Sequence, residues 1–382
     1  MINRIFGVET MKREFIFAFV LVIAITLFGC NQSDINIGFV AGLTGVNSEL
    51  GVSGMYGSTM AVEEINSTGG INGRKINLII KDDKNNPDTA VNVDTELVDS
   101  GCPIIVGHYI SSISNVAVDF ANKRGILLIS PTITTDSMND INDNFIRLSP
   151  SVSKQADALY KLILHEKRKN CVIVYNANNS AYAENMKDVL MKLSESKDRN
   201  IKSTIAFSSV SSFVSGEKIK GIKRINPDGI IIVAAADDTA EICQRLRSLK
   251  INSAIYFSTW AMTNDLIEHG GKTVEGAQGI NFVNFASDSK KYIDFKTKFF
   301  AKYGTNPDFS ALVSYETIML VKEALLNVNS FSVSDLKKYI LGKGTFEGIQ
   351  DAYKINEFGD CLRQIYLCKI TNRTFVAERI NE

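Results

Sequence analysis

The side chains best suited to bind a small charged molecule are hydroxyl groups that follow two neighbouring apolar runs. Ser111 and Ser112 come shortly after one run, and Thr132 and Thr134 follow the next, Ile126–Ile129. The serines are expected to open a helix, where free backbone N–H groups and the helix dipole favour a negative charge. Hydroxyl and N–H groups are also donors that bind a carboxylate. The pattern therefore predicts a site for a small carboxylate.

The elements that position these hydroxyl groups alternate between strand and helix. The run Pro103–Val106 reads as a strand that ends at Gly107, and Ile126–Ile129 reads as the next strand. Between them, the apolar residues from Val116 onward recur at helical spacing. A strand–helix–strand repeat demands a parallel sheet with right-handed crossovers. Ligands of such sheets bind at the carboxyl ends of the strands, where these hydroxyl groups are placed.

The same alternation begins earlier in the chain and restarts after Ser149. A strand at Ile35–Val40 starts the first set, and the strands of the second set are predicted at 171–175, 203–207, 229–235 and 255–257. Two successive sheets of this kind predict an α/β protein with two lobes of similar size. The last predicted elements are helices at 292–303 and 310–326 and strands at Tyr353–Ile355 and Gln364–Ile370. Periodicity alone does not decide which lobe these late elements join.

The overall composition excludes several classes of protein. With 382 residues the chain is long enough for two ordinary domains. Lys and Arg together number 42, as do Asp and Glu, and the basic residues do not cluster with aromatic ones, so nothing indicates nucleic-acid binding. Five cysteines follow residue 30 without metal-ligand spacing, which argues against both a disulfide framework and a zinc site.

The N-terminal segment has the pattern of an export signal. A basic pair precedes the apolar run Phe15–Phe28, which is short for a membrane span. Leu27–Cys30 resembles the bacterial lipobox, in which the cysteine is lipidated and becomes the first mature residue. The alternative is an uncleaved signal or a plain anchor helix, and Met11 is an alternative start of the chain. The predicted segments are a signal peptide, 1–29, and a lipid-tethered linker, 30–34.

Longer strings of the sequence resemble one known family. They occur in the family's order and are IGFVAGLTG, EEINSTGGINGRKI, KDDKNNPDTAV, GHYISS, GILLISPTITT and GTFEGIQDAYKINEFGD. From Ile35 onward the chain thus resembles the type I periplasmic binding proteins, in particular the leucine/isoleucine/valine-binding family that supplies ABC importers. The resemblance implies two Rossmann-like lobes joined by a three-segment hinge, with the ligand held between them. The implied lobes are 35–150 plus 283–347 and 151–282 plus 348–382.

The resemblance also implies which residues bind the ligand. Ser111 matches the serine that bonds the ligand carboxylate, and its neighbour Ser112 is included with it. Thr134 matches the threonine that reaches the carboxylate and the ammonium, with the backbone near Thr132 in support. Tyr182 matches a tyrosine in the corresponding loop of the second lobe. Each has a structural alternative, because the serines could cap a helix, Thr134 could belong to a turn and Tyr182 could pack at the surface.

Two positions depart from the family pattern in the second lobe. Where relatives often carry a tyrosine, this chain has two alanines followed by Asp237 and Asp238, and where they often carry a glutamate that pairs with an ammonium, it has Trp260. A buried ammonium without a counter-charge is costly, so either an aspartate supplies that charge or the ligand has no ammonium. Asp238 and Glu241 have capping-box spacing, so Asp237 is the candidate for the site. Trp260 could form a flat apolar wall of the site, hold a cation by its face, or belong to the core.

The predicted function is that of an exported solute-binding lipoprotein of an ABC importer. It would take up an amino acid or a similar small carboxylate and would work with permease and ATPase subunits in the membrane. The alternative is a sensor of the same fold that acts on a membrane receptor. A remote alternative is an exported α/β hydrolase, but the chain has no Gly-x-Ser-x-Gly elbow and its three histidines show no triad or metal pattern. We expect no cofactor, no metal and no catalytic residue.

Overall fold

Two mainly parallel β-sheets, each flanked by helices, form two lobes. The structure is a computed structural model that describes residues 33–45 and 47–379. The predicted signal peptide and Cys30 lie outside the described residues. Within those residues strands and helices alternate in two successive halves, so the predicted α/β class is confirmed.

The first sheet has the strand order β2-β1-β3-β4-β5, and all of its neighbouring strands are parallel. Its strands are β1 (Ile35–Ala41), β2 (Ile76–Asp82), β3 (Ile104–Gly107), β4 (Leu127–Ser130) and β5 (Phe145–Arg147). The helices between them are α1 (Glu49–Ser67), α2 (Pro87–Asp99) and α3 (Ser114–Arg124). Strands β3 and β4 are buried along their whole length, as expected for apolar runs in a parallel sheet. Helix α3 ends at Gly125, whose φ of 65° is left-handed and favours glycine.

The second sheet has the order β15-β14-β10-β9-β8-β6-β7. Five of its strands run parallel to one another: β6 (Cys171–Asn176), β7 (Ile201–Phe207), β8 (Gly229–Val233), β9 (Ala254–Phe257) and β10 (Gln278–Asn281). The helices of this lobe are α4 (Val152–His165), α5 (Ser180–Ser196), α6 (Val210–Ser215), α7 (Glu217–Ile225), α8 (Ala236–Ser248) and α9 (Asn264–Gly270). Strand β8 lies in the middle of the parallel part and is fully buried.

The chain then returns to the first lobe through two long helices, α10 (Lys290–Tyr303) and α11 (Phe309–Asn327). The ring of Tyr303 stacks on Tyr56 of α1 with the centroids 4.2 Å apart. The Ser310 hydroxyl donates a hydrogen bond of 2.7 Å to the carbonyl of Leu50. A Cβ at Gly57 of α1 would overlap the Ala311 carbonyl, so the two helices approach this closely only because residue 57 is glycine.

The C-terminal strands divide between two sheets. Strands β14 (Tyr366–Thr371) and β15 (Thr374–Arg379) join the second sheet as antiparallel strands next to β10. Strand β12 (Tyr353–Ile355) pairs with β11 (Thr345–Phe346) and β13 (Cys361–Leu362) in a small separate sheet, after helix α12 (Val333–Lys343). Of the two predicted closing strands, Tyr353–Ile355 thus pairs in the small sheet, and the strand predicted at Gln364–Ile370 corresponds to β14 of the second sheet. The lobe boundaries given above stay predictions.

Hydrogen bonds and ion pairs hold the segments that cross between the lobes. Asn284 donates its N–H to the Gln350 side chain at 2.9 Å, and the Gln350 amide donates back to the Asn284 carbonyl at 2.6 Å. Arg147 forms an ion pair of 2.6 Å with Asp360, and Arg147 is almost fully buried. Buried polar groups that are mutually bonded fix the geometry of the chain around them.

None of the helices in the described ranges combines the length and the apolar character needed to cross a bilayer. The five cysteines that follow residue 30 are buried and unpaired, which is the behaviour of small apolar side chains.

Candidate ligand-binding site

A cleft between the two lobes lies at the carboxyl ends of the parallel strands. The empty space between its walls is about 360 Å³, which includes the open solvent at its mouth. Its lining comes from both lobes and from two crossing segments, and consists of Leu50, Tyr109, Ser111, Thr132, Thr134, Ser149, Gln155, Asn179, Tyr182, Thr259, Trp260, Phe282 and Phe309. The lining combines hydroxyl and amide groups with a large aromatic surface.

On the side of the first lobe, Ser111 and Thr134 lie next to each other in the cleft. Ser111 belongs to a short 3₁₀ turn, 111–113, that precedes α3, and its Oγ accepts the Thr134 N–H at 3.3 Å. The Thr134 Oγ1 is buried and has no hydrogen-bond partner among the described residues. A buried hydroxyl without a partner is costly, so this group indicates a position for a ligand oxygen. Helix α3 begins at Ser114 without a side-chain cap, which contradicts the alternative that the serines cap the helix.

Ser112 and Thr132 use their polar groups within the protein. The Ser112 hydroxyl donates to Asn179 Oδ1 at 2.9 Å, and its N–H donates to the same oxygen at 3.2 Å. Asn179 precedes α5 in the second lobe, so Ser112 links the lobes and is not among the lining residues. Thr132 lines the cleft, but its hydroxyl donates to the Tyr109 carbonyl at 2.8 Å. The hydroxyl groups of both residues therefore donate to protein oxygens and not to a ligand.

On the side of the second lobe, Tyr182 and Trp260 form an aromatic pair. Their ring centroids lie 5.9 Å apart with the planes at 84°, the edge-to-face geometry that aromatic quadrupoles favour. The Tyr182 hydroxyl donates to Gln155 Oε1 at 3.3 Å, and burial raises its pKa to about 12, so it remains neutral at physiological pH. The Trp260 Nε1 is buried and has no hydrogen-bond partner among the described residues. Both rings were predicted candidates, and both line the cleft.

Asp237, like Ser112, is a sequence candidate that is not among the lining residues of the cleft. It is the second residue of α8 and its side chain is 65% exposed. Its carboxylate lies 2.5 Å from the His269 Nδ1, and this hydrogen bond raises the pKa of His269. Helix α8 begins with Ala235 as the N-cap residue, so the capping box predicted at Asp238 was also wrong. Asp238 instead faces inward and accepts a hydrogen bond of 2.7 Å from Asn176.

Several lining residues were not predicted from the sequence. Asn179 lies in the loop between β6 and α5, which corresponds to the Ser111 loop between β3 and α3. That correspondence is a signal that could have identified Asn179. Leu50, Phe282 and Phe309 belong to α1, to a crossing segment and to α11, and only the tertiary fold brings them together. Their rings and alkyl groups form the apolar part of the lining.

A group of carboxyl side chains lies close to the cleft but outside its lining. Burial, together with repulsion from Asp237, Asp265 and Asp308, raises the pKa of Glu49 to about 7. Glu49 Oε1 has no hydrogen-bond partner among the described residues. Asp308 caps α11 through the Ala311 N–H at 2.9 Å and accepts the Ser53 hydroxyl at 2.6 Å. The bonding of Glu49 is therefore incomplete, whereas Asp308 is held by two hydrogen bonds.

His108 lies between two acidic partners, Asp83 and Asp94. Its Nδ1 lies 2.6 Å from Asp83 and its Nε2 3.1 Å from Asp94. Burial lowers the pKa of His108, but the charges and hydrogen bonds of the two aspartates more than offset this effect and raise it to about 10. All three side chains are at most 1% exposed, so the group is closed to substrates and has a structural role. In the described ranges, no cluster of His, Cys, Asp or Glu suits a metal ion.

Comparison with known proteins identifies the family of this chain. A family profile described as "Periplasmic binding protein" matches residues 34–373. The chain belongs to this family of periplasmic binding proteins. The resemblance of the sequence motifs to that family is thereby confirmed.

Relatives of this periplasmic binding protein are described as Leu/Ile/Val-binding proteins or their homologues. The "Leu/Ile/Val-binding protein homolog 1" of Brucella melitensis is 23% identical over 355 residues, which cover 91% of this chain and 93% of the relative. A "Leucine-, isoleucine-, valine-, threonine-, and alanine-binding protein" of Pseudomonas aeruginosa is 26% identical over half of each chain.

Solved structures show the same fold with different bound ligands. The branched-chain amino acid transporter substrate binding protein LivJ of Streptococcus pneumoniae, in complex with isoleucine, superimposes with a TM-score of 0.83 at 23% identity, covering 91% of this chain and 100% of LivJ. An ABC transporter solute binding protein of R. palustris, in complex with benzoate, also gives a TM-score of 0.83, at 17% identity and covering 91% and 96% of the two chains. At these identities the likeness concerns the fold.

Proposed function

We propose that this periplasmic binding protein is the solute-binding lipoprotein of an ABC importer. It is exported, anchored by lipid at Cys30, and it binds an amino acid or a similar small carboxylate between its lobes for delivery to permease and ATPase subunits. The observation that carries the proposal is the buried, unpartnered Thr134 Oγ1 beside Ser111 at the start of α3. A carboxylate at this position accepts hydrogen bonds from the hydroxyl groups and benefits from the helix N-terminus.

The relatives support the chemical class of the ligand. Proteins of this fold are described as complexes with isoleucine and with benzoate, and both ligands have a carboxylate attached to an apolar group. The cleft offers partners for both parts of such a ligand. Hydroxyl groups of the first lobe suit the carboxylate, and the aromatic rings around them suit the apolar group.

Closure of the lobes is the proposed mechanism of capture. The Ser112–Asn179 bond crosses the cleft, as do the bonds between Asp136 and Asn185, at 2.9 and 3.1 Å. Opening would break these bonds, so they stabilise the arrangement in which Tyr182 and Trp260 face Ser111. Hinge closure of two lobes around a ligand is a general motion of such architectures.

The test begins with a thermal-shift screen of purified protein against amino acids and small carboxylic acids. For the ligand it identifies, calorimetry on Ser111→Ala should show binding weaker by about 1–3 kcal/mol, because a hydrogen bond to a charged group is lost. The exposed Ser248→Ala serves as the control and should bind normally. Unchanged affinity in Ser111→Ala would contradict the assignment of the carboxylate site.

A further inference from the structure

The side chains that line the cleft carry no formal charge, although the proposed ligand is charged. They are leucine, phenylalanine, tyrosine, tryptophan, serine, threonine, asparagine and glutamine. Neutral hydroxyl and N–H donors suffice for a carboxylate, since they point positive ends of dipoles at it. An ammonium has only donors, so it requires acceptors and, when buried, a counter-charge.

Two amide oxygens of the lining already accept hydrogen bonds from the protein. Gln155 Oε1 accepts the Tyr182 hydroxyl, and Asn179 Oδ1 accepts two bonds from Ser112. Among the buried hydroxyl groups of the lining, that of Thr134 has no partner within the described ranges, and a neutral hydroxyl does not compensate a full positive charge.

The carboxyl groups described above, those of Glu49, Asp237, Asp265 and Asp308, are not among the lining residues of the cleft. Asp237 is exposed and bonded to His269, and Asp308 caps α11. Glu49 Oε1 is buried and unpartnered, but Glu49 is not among the lining residues. Repulsion by its acidic neighbours also favours the neutral form of Glu49, which makes it a poor counter-charge near neutral pH.

Trp260 requires a hydrogen-bond acceptor in the ligand, whereas an ammonium offers only donors. Its indole Nε1–H can only donate, and this group is buried without a partner. This N–H cannot bond an ammonium, because both groups are donors. A hydroxyl or carbonyl oxygen of the ligand would accept its hydrogen bond. The aromatic pairs Tyr182–Trp260 and Phe282–Phe309, the second with centroids 5.7 Å apart, provide flat apolar walls between the two polar ends.

We infer that the ligand is a carboxylic acid with an aromatic or compact apolar body, no ammonium group, and a second oxygen that accepts a hydrogen bond from Trp260. The inference rests on the proposed function, since it names the class of carboxylate that the same cleft binds. The carboxylate lies at Ser111 and Thr134, and the second oxygen lies at the opposite side of the cleft.

Matched pairs of compounds test this inference by calorimetry on the purified protein. The probes are phenylalanine with 3-phenylpropanoate, tyrosine with 3-(4-hydroxyphenyl)propanoate, and leucine with 4-methylpentanoate. The acid of the best pair should bind at least about tenfold more tightly than its amino acid, because the ammonium would be buried without a counter-charge. The phenolic acid should bind more tightly than 3-phenylpropanoate, and Trp260→Phe should abolish that difference while retaining a ring.

Each outcome separates the inference from the proposed function. Tighter binding of the amino acids would overturn the inference and leave the proposed function standing, and a loss of that binding in Glu49→Gln would identify Glu49 as the counter-charge. If the phenolic acid bound more tightly than 3-phenylpropanoate by the same factor in wild type and in Trp260→Phe, this result would overturn the assignment of the second oxygen to Trp260. If none of the carboxylates bound, with or without an amino group, the proposed function itself would fail.

Discussion

At the scale of single residues, the chemistry of the site depends on which polar atoms remain unbonded. The sequence predicted Ser111, Thr134, Tyr182 and Trp260 as candidates, and all four line the cleft. Asp237 was predicted from its type and place in the chain, but the start of α8 turns its side chain to solvent. Residue type is visible in a sequence, whereas the bonding state of a side chain depends on the fold.

The buried His108 allows a test of how charge stabilises the first lobe. Replacing it in His108→Gln leaves Asp83 and Asp94 buried without a positive partner, so the free energy of unfolding should fall by about 3–5 kcal/mol. The raised pKa of His108, about 10, means that its stabilisation is complete below the ordinary value of 6.5 and is lost as the pH rises towards 10. In urea unfolding, the free energy of unfolding of His108→Gln should therefore fall further below that of the wild type at pH 6 than at pH 9.

The control for this prediction is the exposed His165→Gln in α4, which should change the free energy of unfolding by less than about 0.5 kcal/mol. If the loss of unfolding free energy in His108→Gln grew with pH, this result would contradict a charged His108.

At the scale of elements, the alternation of apolar runs and helical spacing predicted most strands and helices within a few residues. Examples are β3, β6 and α11, whose apolar residues are buried as parallel strands and core helices require. The partner of the short strand Tyr353–Ile355 was not predictable, because a strand of three residues carries no information about its neighbour. The return of α10 and α11 to the first lobe was implied by family resemblance, since local periodicity does not encode long-range packing.

The contact between α1 and α11 can be tested at Gly57. In Gly57→Ala the new Cβ would overlap the Ala311 backbone, so the helices must separate and the free energy of unfolding should fall by about 1–3 kcal/mol. Gly221→Ala in α7 is the matched control, because its nearest side-chain atom is 3.8 Å away. The control should stabilise the protein by roughly 0.5–1 kcal/mol through helix propensity. Equal effects of the two substitutions in urea unfolding would contradict the close packing of these helices.

At the scale of the whole molecule, one bound ligand should contact both lobes. Thr134 belongs to the first lobe and Trp260 to the second, and they line the same cleft. Trp260 is the only tryptophan in the 382 residues, so the intrinsic tryptophan emission of the protein reports on this cleft alone. The specificity predicted above arises on the side of Trp260, whereas the affinity for a carboxylate arises on the side of Thr134.

The most direct test is a titration of Trp260 fluorescence with the tightest carboxylate from the screen, in wild type and in Thr134→Val. We predict a saturable change of emission in both, with the midpoint in Thr134→Val shifted to weaker binding by about 1–3 kcal/mol. The exposed Thr297→Val on α10 should leave the midpoint unchanged. A ligand that raises the melting temperature without changing the emission, or an identical midpoint in Thr134→Val, would contradict a single site shared by the two lobes.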